Sequence, residues 1–218
     1  RLAGSGRLRM RRRRQPSPRV PCAGPRFPPM WRLFGERMRL TQSVLVIADI
    51  SGYTEFIRMR EISLLHAEQI IADLLTTIVE GAEHPLTLNK FEGDALFLYA
   101  EVAADPRVVA LDVYRQAQRF FAAFERQLDV VKAQRSHCNC DACSTIDRLC
   151  LKAILHVGEV AIRQWRQFTE LAGEPVILVH RLMKNHVPAR AYLMMTEEFR
   201  RASGLTWGSA LDEDVEGL

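Results

Sequence analysis

Two aspartates stand at the ends of apolar runs. VLVIADI (44–50) carries Asp49 and is followed at once by Ser51-Gly52-Tyr53-Thr54, and KFEGD (90–94) sets Lys90, Glu92 and Asp94 at the mouth of ALFLY (95–99). A lone carboxylate at such a place reads as a hydrogen-bonded buried acid. Two brought close together repel unless a cation lies between them, and an oxygen-only donor set suits Mg²⁺ or Mn²⁺ bridging to phosphates. Backbone N–H groups of a Ser-Gly-Tyr-Thr turn opening a helix can cradle phosphate oxygens. Together these residues point to a nucleotide site.

A second constellation is SHCNCDAC (136–143), with Cys150 a little further on. Cys138, Cys140 and Cys143 have C-x-C and C-x-x-C spacings that let thiolates converge, and His137 or Cys150 could complete four ligands for Zn²⁺. The plainer alternative is a set of free thiols in a surface loop. A structural disulfide is disfavoured, because nothing marks secretion. Other polar residues take structural readings: His156 as a core histidine, His66 as a surface or packing residue, His180 and Lys184 as the polar face of their helix, and Glu92 as solvated. Lys90 reads as a flank of a hairpin.

The elements that must position these groups alternate. Residues 43–50 read as a strand buried on both faces. Residues 62–82 have apolar positions at helical spacing, with Leu65, Ile70, Leu74 and Ile78 near one stripe. Residues 86–99 turn at Glu92-Gly93-Asp94 as a hairpin. Residues 106–133 form a long helix with Val109, Val113, Ala117, Phe120, Phe121 and Phe124 inward. Residues 149–164 read as a strand pair or a strand bent at Gly158, and Pro175 to Val187 as a helix with proline in its first turn. A last strand near 190–195 precedes a short helix opened by Thr196. The order β, α, β, β, α, β is that of an α+β, ferredoxin-like βαββαβ core, with helices packed on a mainly antiparallel sheet. It makes the two aspartates neighbours.

The chain has 218 residues, 48% hydrophobic, enough for one domain with appendages. No stretch approaches a membrane span and the N-terminus has no apolar segment of the secretory kind, so a cytoplasmic protein is expected. Residues 1–38 hold 11 of the 30 Lys and Arg and one of the 26 acids, leaving 19 basic against 25 acidic residues and a net charge of about −6 elsewhere. The overall basicity thus belongs to the Arg- and Pro-rich tail, which is expected to be disordered. Arg11 to Arg14 could mark a nucleic-acid or membrane patch or a transit peptide. The chain does not begin with Met, and Met30 or Met38 would start it just before the first strand, so upstream translation explains the tail more simply and no nucleic-acid partner is expected. The domain is expected over 39–200, with a Cys-rich insertion at 136–150 and an acidic tail at 201–218.

ADISGYT (48–54), KFEGDALF (90–97), LHVGEV (155–160) and LAGEPVILVHRL (171–182) resemble, in order and spacing, the class III adenylate/guanylate cyclase domains. The resemblance spans about residues 43–197. It implies that Asp49 and Asp94 bind two Mg²⁺ or Mn²⁺ ions, assisted by the Ile50 carbonyl. It implies that Lys90 reads the purine, with Glu170 as its partner, or Thr169 if the alignment slips, and that Arg181 acts at the transition state. The family's ribose-positioning asparagine falls on Ile177, which offers no hydrogen bond. That departure bears on turnover more than on binding. Asn185, one turn beyond Arg181, lies on the wrong side of the arginine to substitute directly. The cysteine cluster and the HRLMKN run (180–185) resemble an uncharacterised cyclase-like family more closely than the authentic cyclases.

The resemblance therefore implies a purine-nucleotide-binding homodimer, ATP favoured, that converts ATP to cyclic AMP and pyrophosphate. The alternatives are a catalytically inactive binding module, favoured by Ile177, and a metal- or redox-responsive protein, favoured by the cysteines.

Overall fold

The computed structural model describes residues 38–57, 61–103 and 105–206. The expectations for the basic tail before Met38 and for the last twelve residues fall outside that range.

Strand β1 (Met38–Ser51) starts earlier than its apolar run, because its first residues pair with the far end of β4. A tight turn leads into α1 (Tyr53–Ile57) and then α2 (Glu61–Glu80). The hairpin β2 (Thr87–Glu92) and β3 (Ala95–Glu101) follows, turning on Gly93 with φ of 67°. Helix α3 (Pro106–Gln134) opens with Pro106 after the cap residue Asp105, whose carboxylate accepts the Arg107 N–H at 2.9 Å. After α3 come a single helical turn, α4 (Asp141–Ser144), and a 3-10 turn at Ile146–Arg148.

Residues 150–165 form one long strand, β4, and not a strand pair. It continues into β5 (Phe168–Ala172), which the short, half-exposed sequence FTELA did not signal. Helix α5 (Glu174–Leu182) is shorter than the expected Pro175–Val187. Asn185 ends it: its Nδ2 donates to the Leu182 carbonyl at 2.7 Å and to the Tyr192 hydroxyl at 2.6 Å, and its Oδ1 accepts from the Val187 N–H at 3.0 Å. Those bonds hold the Asn185 amide within its own loop. Strand β6 (Tyr192–Met195) and α6 (Glu197–Ser203), capped by Thr196, complete the order.

The sheet runs β2-β3-β1-β4-β5, with β6 parallel to β4 at its Lys152–Leu155 end. The other pairings are antiparallel, which confirms the α+β class. Strand alternation splits β1 between two cores. Val44, Val46, Ala48 and Ile50 meet α2 and α3, where Ile70, Leu74, Ile78, Val113, Ala117, Phe120 and Phe124 are buried. Leu65, expected on the same stripe, is 75% exposed because at 3.6 residues per turn it falls on the face of α2 opposite Ile70, Leu74 and Ile78. Leu45 and Ile47 face the other side and pack with Phe97, Tyr99, Ile162, Leu171 and Val179 from β3, β4, β5 and α5. Gly158 makes the approach of α5 feasible, since a Cβ there would lie 2.4 Å from Pro175 Cγ.

Candidate functional site

Asp49 shares the odd-numbered register of Leu45 and Ile47, so it belongs to the face of the sheet away from α2 and α3. Its register partners are Ala95 on β3 and Lys152 on β4. The Ile50 N–H donates to the Asp94 carbonyl at 3.2 Å, locking the hairpin turn against the end of β1. The two aspartates are neighbours, as the βαββαβ order requires. Burial first, then the Asp49 carboxylate through charge and a hydrogen bond, push the Asp94 carboxyl up to about 6 against the opposing pull of Lys152.

Lys152 is the cation that sequence reasoning missed. Its Nζ lies 2.8 Å from Asp49 Oδ2, and both side chains are largely shielded. The signal was available in the strand register, which places an ammonium opposite an acid inside the sheet.

Gly52 sits at φ of +94°, and a Cβ on it would lie 2.8 Å from the Arg148 carbonyl oxygen and 3.2 Å from Arg190 Nη2. Arg190 donates to that same Arg148 carbonyl. The Ser51–Thr54 turn is therefore pressed against the backbone leading into β4, with a guanidinium beside it. Arg190 was not among the expected residues. The Tyr53 ring points elsewhere: it packs on the helical core and its hydroxyl lies 3.4 Å from Glu68 of α2. Tyr53 can contribute only its backbone to the turn.

Lys90 is held by Glu92 at 2.8 Å and sits 5.7 Å from the centroid of the Phe97 ring. Glu92 is not solvated as expected. It also meets His180 Nε2 at 2.9 Å, while His180 Nδ1 lies 2.6 Å from the Val176 carbonyl and its ring packs edge-on against Phe97. Partial burial alone would raise the Glu92 carboxyl, but Lys90 and His180 hold it below the usual carboxylate range. His180 is thus part of a fixed Lys90–Glu92–His180 chain and not merely a polar helix face.

Glu170 does not join Lys90. On β5 the alternation turns Thr169 and Leu171 inward and leaves Glu170 exposed. Thr169 is the β5 residue that meets β2: its carbonyl accepts from Asn89 Nδ2 at 2.7 Å, next to Lys90. Arg181 and Ile177 lie exposed on α5, and Ile177 remains 55% accessible. His156 is buried, with Nδ1 2.8 Å from Thr196 Oγ1, as expected of a core histidine.

The cysteines converge, but on a different partner. His66 Nδ1 lies 3.6 Å from Cys138 Sγ, 3.4 Å from Cys140 Sγ and 3.8 Å from Cys143 Sγ, and all four ligand atoms fall within 4.8 Å of one another. His137 is exposed outside this group, and Cys150 is on β4 opposite Ser51. His66, expected from its place on the first helix to be a surface or packing residue, instead joins the cysteines across 72 positions. Burial pushes the Cys140 thiol up, but the Cys143 N–H and His66 outweigh it and bring it down to about 6. Burial and the neighbouring sulfurs push Cys143 up to about 12.

Residues 71–192 match the family described as "Protein of unknown function (DUF2652)". "Uncharacterized protein Rv2561/Rv2562" of Mycobacterium tuberculosis is 37% identical over 152 residues, 68% of this chain and 68% of that one. The chain belongs to the DUF2652 family. Among solved structures, this DUF2652 member resembles the adenylyl cyclase CyaB from P. aeruginosa, with a TM-score of 0.57 and 15% identity over 76% of this chain and 82% of that one. It resembles the guanylyl cyclase Cya2, with a TM-score of 0.59 and 14% identity over 76% and 80%. It also resembles a class III adenylyl cyclase-like ATP-binding protein from Pseudomonas aeruginosa, with a TM-score of 0.60 and 13% identity over 76% and 35%. The likeness is one of fold, and it bears out the cyclase-like architecture. Among the described residues no helix is long and apolar enough to cross a membrane.

Proposed function

We propose that this DUF2652 domain binds a purine nucleoside triphosphate through Mg²⁺ or Mn²⁺ held by Asp49 and Asp94. The observation that carries the reading is the crowding of these two carboxylates at the end of β1, with one carboxyl already pushed toward neutrality. Lys152 offsets one negative charge, so the pair remains under-compensated and a divalent cation suits it. The donor set is oxygen only, which fits Mg²⁺ or Mn²⁺, with the Ile50 carbonyl at the same strand end. When bound, two such ions supply activation of a ribose 3′-hydroxyl and charge stabilisation at the α-phosphate and departing pyrophosphate.

The chain's own groups would orient the nucleotide. The backbone of Ser51, Gly52, Tyr53 and Thr54 offers donors to phosphate, with Arg190 alongside. Lys90 donates to the purine, an adenine favoured because an ammonium can donate to its N1, and Glu92 fixes the direction of Lys90. Thr169, and not Glu170, is the partner on β5. Arg181 is exposed and available to a developing charge, and a homodimer would bring a second chain to it. Exposed Ile177, one turn before Arg181 on α5, is apolar surface that such a partner would cover.

A second reading is favoured by Ile177 and Asn185: with no asparagine on α5, and with the Asn185 amide beyond it bonded to Leu182 and Tyr192, the domain binds nucleotide as a signalling module without turnover. Calorimetric titration with ATP and GTP, with and without Mn²⁺, beside a cyclic-nucleotide assay, separates the two. Binding without product supports the module. Absence of metal-dependent binding overturns both.

A further inference from the structure

Apart from the nucleotide face, four metal-type ligands meet between α2 and the segment joining α3 to β4. We propose that His66, Cys138, Cys140 and Cys143 bind one Zn²⁺ in a closed structural site that ties α2 to the backbone supporting the Ser51–Gly52 turn.

The geometry carries this assignment. Zinc–sulfur bonds of about 2.3 Å and zinc–nitrogen bonds of about 2.0–2.1 Å at tetrahedral angles put a nitrogen and a sulfur about 3.6 Å apart. The three observed separations, 3.4, 3.6 and 3.8 Å, bracket that edge. A thiol is a weak donor, and one imidazole nitrogen can make a good hydrogen bond to only one of three sulfurs. Three sulfurs gathered around a single nitrogen are better explained by a shared cation. All four cysteines among the described residues are free, so no disulfide competes for the sulfurs. A three-sulfur, one-nitrogen set selects zinc over the hard cations of the nucleotide site.

The surroundings support the sulfurs. Cys140 caps α4, and its Sγ accepts the Cys143 N–H at 3.5 Å, which turns a helix-end donor toward the thiolate. Ala142, Ile146 and Leu149 are buried in the helical core and fix the loop, while Ala67 and Ile70 fix the helix that brings His66. Four protein ligands leave no open position, which marks the site as structural and not catalytic.

The position gives it a consequence. From Cys143 the chain runs through Arg148, whose carbonyl meets Gly52 and Arg190, to Cys150, which pairs with Ser51. The metal therefore braces one wall of the turn that the nucleotide reading uses, although zinc binding does not depend on that reading.

Metal analysis of the full chain purified without chelator tests the assignment, with about one zinc per chain expected. Titration with an organomercurial, read with a zinc-sensitive dye, should release that zinc from the folded wild type as the thiolates are consumed. His66→Ala and Cys143→Ser should lower the content below about a tenth of an equivalent, whereas His137→Ala and Cys150→Ser should keep it. Cobalt substitution should give the visible bands of a tetrahedral thiolate site in the wild type and in Cys150→Ser. Absence of zinc from folded protein whose three cysteines alkylate freely would overturn the proposal. So would a disulfide among them, another metal at the site, or zinc lost in Cys150→Ser and kept in folded His66→Ala.

Discussion

Lys152 Nζ lies 2.8 Å from Asp49 Oδ2, so the strand β4 delivers a cation to an acid that stands beside a second acid, Asp94. The arrangement balances one charge of two. It explains how two neighbouring acids persist at the end of a strand, and it divides the predicted behaviour of the three residues.

Lys152→Met should destabilise the protein by about 3 kcal/mol at neutral pH, because it leaves the shielded Asp49 carboxylate beside Asp94 with its cation gone. Mn²⁺ should recover part of that loss. The double variant Lys152→Met with Asp49→Asn should recover most of it, read as urea midpoints. A fully additive double variant would show that the ion pair is incidental.

Asp94→Asn addresses the pH dependence. The Asp94 carboxyl is raised in the folded protein, from an ordinary 3.8 to about 6, so the folded state binds this proton more tightly than the unfolded chain. Its contribution to stability is therefore largest below the unfolded value and is lost as pH rises through about 6. Replacing it with Asn should leave the unfolding free energy nearly unchanged at pH 4 and raise it at pH 7.5, by on the order of 1 kcal/mol once screening of a half-exposed group is allowed for. An equal gain at both pH values would contradict the assigned repulsion.

Gly158→Ala should cost about 1–3 kcal/mol, because the new methyl meets the Pro175 ring at 2.4 and 2.7 Å at the start of α5. Gly93→Ala, where nothing lies within 4 Å, should cost only its left-handed backbone strain of about 1–2 kcal/mol. Denaturant melts compare the two. Adding Pro175→Gly to Gly158→Ala, which removes both clashing ring carbons, should return part of the lost stability.

The legible parts of the fold were those whose signals are local. The apolar run of β1, the periodicity of α2 and α3, and the Glu92-Gly93-Asp94 turn each carry their own pattern, and together they make Asp49 and Asp94 neighbours from the sequence alone. What stayed hidden was set by pairing between distant segments. Lys152 became a partner of Asp49 only through register, His66 joined the cysteines across 72 positions, and Glu92 was held by His180 across 88. The end of α5 was overrun because no glycine or proline marks it before Pro188. Its stop signal is the Asn185 side chain, which reads as an ordinary helix surface residue until its three hydrogen bonds are seen. Glu170 and Thr169 are adjacent in sequence, and only the pleat of β5 tells which one faces inward.

Lys90 and Glu92 should separate purine from phosphate recognition. Lys90→Ala should weaken ATP by about tenfold, the value of one hydrogen bond from a charged donor, while pyrophosphate affinity stays within about twofold. Glu92→Gln should produce a smaller loss of the same kind, because it frees Lys90 without removing it. Equal weakening of both ligands would assign Lys90 to phosphate.

Titration of ATP into the wild type and Asp94→Asn, in the presence of Mn²⁺, tests the central claim most directly. The wild type should bind with an affinity that depends on the metal, and Asp94→Asn, folded and with an unchanged circular dichroism spectrum, should lose metal-dependent binding by at least about a hundredfold, roughly 2.7 kcal/mol. Equal affinities for the two proteins with metal present would contradict the account and leave only the cyclase-like fold.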